Sequence, residues 1–162
     1  MNKVQTLALV ALVQAVLVGL AVAPQLSARL TGDTYQLRVA PLDPIDPFRG
    51  AYVTLDYPDL DLSRRDGGEG RPLRDDERGD VFVTLVEQGD VMVADRWTRD
   101  RPDAGPYLSC TDRGWDVRCG IESWFLPQDE AASMEDVLRD GAIAEVRIDG
   151  RGHAALVDVR AP

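Results

Sequence analysis

Two aspartates set in a proline ladder are the first residues with the spacing for chemistry: Pro41-Leu42-Asp43-Pro44-Ile45-Asp46-Pro47, followed closely by Arg49. Each proline pushes the residue before it toward extended geometry, so the segment reads as a stiff connector. Held there, Asp43 and Asp46 offer a carboxylate pair for acid/base work or cation binding. The competing reading, which the sequence favours, is that each Asp caps its own turn before a proline and pairs with Arg49. Glu122 is the next candidate. It follows Gly120-Ile121 and precedes Ser123-Trp124-Phe125, a partly apolar setting that would suit a general acid, but the favoured reading is a strand-face carboxylate bridging to an arginine. An exported hydrolase would use Glu122 with Asp43 or Asp46 as its acid and base. A non-catalytic binding or accessory domain would instead present Asp43, Asp46, Arg49, Tyr52, Tyr57, Glu122 and Trp124 to a partner, and this is the preferred expectation.

Other chemistries fail on residue type. Lys3 is the only lysine, so the domain holds no lysine general base, and the Ser–Lys pair of a signal peptidase is excluded. Ser123 lacks the Gly-x-Ser-x-Gly turn that exposes a nucleophile. His153, the only histidine, falls beside a turn and reads as a surface or satisfied residue. The acidic run Asp56, Asp59, Asp61 and Asp66 matches no calcium loop, because the glycine and terminal glutamate of that template are misplaced. Cys110 and Cys119 without a neighbouring His do not complete a metal site. No metal or cofactor is expected. Cys110 and Cys119 bracket a turn-rich stretch, and if the flanking segments pair as a hairpin they come within disulfide range; buried free thiols are the alternative.

The elements that must position these residues begin at the N-terminus. Of the 162 residues, Val4 to Ala23 carry no charge and are nearly all Val, Leu and Ala. About twenty such residues span a bilayer core as a helix. Lys3 and the amino terminus lie on the short side, so the positive-inside rule holds that end in the cytoplasm and sends the rest across. A cleaved secretory signal competes, with Ala21-Val22-Ala23 as its small-x-small site. Pro24 after that site and the length of the apolar run favour a retained anchor. The expected organisation is therefore an anchor over 1–24 contacting lipid through residues 4–23, an exit linker over 25–33, and an extracytoplasmic domain over 34–162. The compartment would let a disulfide form. A net charge of −10 argues against nucleic acid or an anionic membrane surface as the main partner, since both are polyanions.

Within the domain, period-two alternation marks strands at Thr34–Ala40 and Ala51–Tyr57, the second placing Val53, Leu55 and Tyr57 on one face. A long solvated loop covers about 58–79. Strands at Asp80–Glu87 and Asp90–Trp97 join at Gln88-Gly89, and two closing strands, Ala142–Ile148 and His153–Arg160, join across Asp149-Gly150-Arg151-Gly152. One short helix is expected from about Glu130 to Asp140, with Asp129 as N-cap. The sum is a mainly β domain, a curled antiparallel sheet or small barrel with one short helix, behind an N-terminal transmembrane helix.

Asp46-Pro47-Phe48-Arg49-Gly50-Ala51-Tyr52-Val53-Thr54-Leu55-Asp56-Tyr57 with the preceding Pro41-Leu42-Asp43-Pro44, then Gly79-Asp80-Val81-Phe82-Val83-Thr84-Leu85, Gly120-Ile121-Glu122-Ser123-Trp124-Phe125-Leu126-Pro127, and the closing Val146-Arg147-Ile148-Asp149 and Gly152-His153-Ala154-Ala155-Leu156 follow one another along the chain. Together these blocks resemble the GDYXXLXY family, small membrane-anchored bacterial proteins of unestablished activity. Ala51 stands where the family's name has aspartate, and Gln128 where a glutamate is expected. The resemblance implies a membrane protein, often encoded beside multi-pass membrane proteins, and hence a membrane-protein partner. It implies no substrate.

Overall fold

The computed structural model describes residues 2–41, 52–60, 78–114, 116–125 and 141–162. Asp43, Asp46, Arg49, Asp61, Asp66, Trp115, most of the expected 58–79 loop and the expected helix over 130–140 lie outside the described residues, and Tyr52 is described in its backbone only.

Helix α1 runs from Lys3 to Thr31, 29 residues, long and apolar enough to cross a membrane. Its start is closed by Gln5, whose Oε1 accepts from the Asn2 backbone N–H at 3.0 Å. Pro24 lies inside the helix, where it removes one backbone donor without ending the element. The segment expected as a short helical exit and turn continues the same helix without a break, and only Gly32 separates Thr31 from Asp33, where β1 begins.

Nine strands follow among the described residues: β1 Asp33–Pro41, β2 Tyr52–Asp56, β3 Gly79–Gln88, β4 Val91–Thr98, β5 Tyr107–Asp112, β6 Val117–Arg118, β7 Ser123–Phe125, β8 Ala142–Ile148 and β9 Ala154–Arg160. All described pairings are antiparallel. The domain is mainly β, as expected, but its strands divide into two sheets and do not close into a barrel: one ordered β7-β2-β1-β8-β9, the other β4-β3-β5-β6.

The core lies between the sheets, because alternate residues of each strand turn inward. Leu37 and Val39 of β1, Leu55 of β2 and Val146 of β8 meet Val81, Val83 and Leu108 of β3 and β5 in one buried cluster. Tyr57, directly after β2, joins them. In β8 the alternation is unbroken, with Ala142, Ala144, Val146 and Ile148 all buried. Register shifts at Thr84/Leu85 and Glu145/Val146 interrupt the ladders of β3 and β8, as bulges that bend a strand do.

Candidate functional site

The cysteines sit where the hairpin expectation put them. Thr111 pairs with Arg118 and Asp112 with Val117, so the next position outward sets Cys110 beside Cys119, with Cα atoms 4.1 Å apart and the disulfide formed. Directly after it the chain reverses at Gly120, whose φ of +84° falls in the left-handed region that favours glycine. Glu122 closes this turn: its Oε1 accepts from the Cys119 backbone N–H, and both of its carboxylate oxygens lie within hydrogen-bond reach of the Gly120 N–H, at 3.2 and 3.1 Å. The turn is tied to β2 by its main chain. Leu55 N–H donates to the Glu122 carbonyl at 2.9 Å, and the buried Tyr57 hydroxyl donates to the Ile121 carbonyl at 2.7 Å. Burial, and secondarily the nearby Glu122 carboxylate, pushes the Tyr57 phenol above its ordinary value.

Of the sequence-predicted site residues, the structure therefore brings Glu122 and Tyr57 together in one structural knot. Trp124 lies two positions further along, on β7, half-buried, with a buried indole N–H that has no hydrogen-bond partner among the described residues. Its neighbour Phe125 is 75% exposed, since alternation along a strand sends consecutive side chains to opposite faces. Asp59, part of the acidic run, is held by Arg38 at 2.6 Å. Among the described residues, no group of His, Cys, Asp and Glu is arranged to hold a metal ion.

A second cluster escaped the sequence reading. Asp149, buried at the β8–β9 turn, accepts from Ser27 Oγ on α1, from the Arg151 and His153 backbone N–H groups at 2.8 and 3.0 Å, and lies 3.0 Å from His153 Nδ1. Burial alone would raise its carboxyl, but these hydrogen bonds outweigh that and hold it below the usual carboxylate value. Ser, Asp and His are the residue types of a catalytic triad, yet the order here is wrong: the aspartate stands between the other two, whereas a nucleophile must contact the imidazole. The cluster is a fastening. Around it, Arg147 donates from Nε and Nη2 to the Gly32 carbonyl at 3.0 and 2.7 Å and from Nη1 to the Arg29 carbonyl. These are carbonyls at a helix end, where intrahelical partners run out.

Packing completes the joint. Ala28 is fully buried on α1, and β9, which α1 contacts, carries the equally buried Ala155, outside the inter-sheet core. Small residues on both sides let the helix approach the sheet. Gly32 is required by closeness alone: a Cβ there would lie 2.5 Å from the Ala28 carbonyl oxygen and 2.8 Å from the Ile148 carbonyl carbon. Gln25 Nε2 donates to the Gly120 carbonyl at 3.2 Å, and so links the joint to the Glu122 turn. A cleft of about 330 Å³ opens where these elements meet, lined in part by Arg29, Trp124 and Val157.

The signal that could have pointed to Asp149 was the Asp-Gly-x-Gly turn, in which an aspartate side chain characteristically accepts from backbone amides two residues on. Nothing local signals Ser27, whose partner lies 122 residues away.

Among known proteins, the family described as GDYXXLXY protein matches residues 14–159. No curated protein and no solved structure matches the chain.

Proposed function

The chain belongs to the GDYXXLXY protein family, and from that premise we propose that it is a membrane-anchored accessory domain, held outside the cytoplasm at a fixed angle over the bilayer to bind a membrane-protein partner. The observation that supports this most is the junction. A helix apolar enough to span a bilayer passes through a single residue into β1, an interior strand of the five-stranded sheet, and Ser27, Ala28 and Arg29 are held against β8, β9 and their turn. A flexible tether would raise only the local concentration of the domain. A stiff one also fixes its orientation, so less rotational freedom is lost when a partner embedded in the same membrane is met.

The exported orientation rests on Lys3 and the amino terminus flanking the apolar run on its short side. The disulfide is consistent with it, because such bonds persist in oxidising compartments. A hydrolase built on Glu122 would first have to release that carboxylate from the amides of Cys119 and Gly120, and no described contact favours that reading.

Two measurements test the proposal. A reporter that is active only outside the cytoplasm, fused after Pro162, is expected to be active; activity only of a cytoplasm-specific reporter would overturn the orientation. Extraction in mild detergent is expected to recover a multi-pass membrane protein with the chain, and to lose it when a flexible Gly-Ser segment is inserted after Gly32. Recovery of the bait alone in several detergents would remove the partner.

A further inference from the structure

We propose that the cleft between the end of α1 and strands β7 and β9 is a cradle for the phosphate-bearing headgroup of a membrane lipid. The inference rests on α1 spanning the bilayer, and begins from depth. If Val4–Ala23 fill the hydrocarbon core, Gln25 stands about 3 Å and Arg29 about 9 Å beyond its edge, at roughly 1.5 Å per helical residue. The headgroup layer is about 5–7 Å thick on each side. Both residues line the cleft, which therefore opens at the level of the lipid phosphates, within reach of a long arginine side chain.

Its chemistry fits that level. In a protein with 28 acidic residues, the cleft lining among the described residues contains Arg29 and no carboxylate. The larger hollow of about 570 Å³ beside β1 and β4 has the opposite character, with Glu87 and Asp90 in its wall. Arg29 spends Nη2 on the Leu156 carbonyl at 3.2 Å, an arrangement that holds the guanidinium on β9 while its other N–H groups have no acceptor among the described residues and can donate to an anion. Trp124, also in the lining, adds an aromatic side chain of the kind enriched at the membrane–water boundary. Ser123 adds a hydroxyl, and Leu156 with Val157 forms an apolar wall. A cleft of about 330 Å³ is of the size that holds a small polar headgroup rather than a large ligand.

Native mass spectrometry of the full chain, released from mild detergent, tests this with three probes: dioleoyl phosphatidylglycerol, dioleoylglycerol and glycerol 3-phosphate. The phospholipid is expected to stay bound, one per chain, while the diacylglycerol, which lacks the phosphate, and glycerol phosphate, which lacks the chains, do not. Arg29→Gln is expected to weaken retention about tenfold, the scale of one charge-assisted contact. Because Arg29 also holds Leu156, Val157→Asp is the second variant: it leaves that contact intact, sets a carboxylate in the cleft, and should lower retention as much. Equal retention of dioleoylglycerol, or undiminished retention in both variants, overturns the proposal; equal binding of glycerol 3-phosphate makes the occupant a soluble anion and overturns its lipid source. Alkaline carbonate extraction of the same membranes reports separately on whether α1 spans, so a failed anchor and a failed headgroup site are told apart.

Discussion

Asp149 and Glu122 do the same local chemistry to different ends. Each folds a carboxylate back onto the amides of its own turn. Glu122 stops there, and its turn meets β2 through main-chain carbonyls. Asp149 also accepts from Ser27 and so fastens the sheet to the long apolar helix. The difference shows where a carboxylate is replaceable. A turn that backbone and a disulfide already hold can lose its side-chain clamp, whereas a joint between two elements far apart in sequence depends on the side chains that bridge them.

The sharpest way to break this contrast is Asp149→Ala, which strands the buried donors around it and should cost about 3–4 kcal/mol of stability, the scale for removing one member of a buried charged network. Chemical denaturation of the full chain in detergent measures it. The same residue gives a pH test. Its carboxyl in the folded protein lies below the ordinary 3.8, so its stabilisation is present above that value and is lost as the pH falls through the folded one. Asp149→Asn should flatten that acid limb, with unchanged acid sensitivity contradicting the assignment.

Removing the disulfide by replacing both Cys110 and Cys119 with Ala comes next, at about 2–3 kcal/mol, as expected for closing a short loop. It should loosen the Glu122 turn, seen as faster amide exchange at Cys119 and Gly120, and leave the Ser27 joint intact. Glu122→Gln ranks last. Its amide oxygen can still accept from one backbone N–H, so a loss of about 1 kcal/mol is expected in the same denaturation assay. A cost matching that of Asp149→Ala would erase the distinction between the two turns.

Most strands were legible because half-buried strands write their faces into the sequence. Val53, Leu55 and Tyr57 alternate with polar residues and are the residues found buried, and Ala142–Ile148 was bounded by a glycine before it and a turn after it. The disulfide hairpin was legible from its turn residues. What the sequence did not display was partnership. β1 pairs over its length with β8, joining Asp33 to Ile148, and no periodicity reports on which of several similar strands will be a neighbour. Local pattern likewise could not divide the strands into two sheets rather than one curled sheet or barrel. Glu122 is legible by residue type, but the backbone amides that its carboxylate meets lie in its own turn, which the apolar flank does not signal. Ser27 and Arg147 were invisible for a simpler reason: their value comes from contacts 122 and 115 residues away.

The contacts of Ser27, Arg29 and Arg147 predict that helix and domain move as one stiff body. Spin labels placed at Leu12→Cys on α1 and Val86→Cys on β3, both exposed positions, leave the native cysteines protected in their disulfide, and pulsed electron resonance in nanodiscs then reads the distance between helix and domain. A single narrow distribution that broadens in Asp149→Ala is the predicted result. A broad distribution in the unaltered joint would contradict the account.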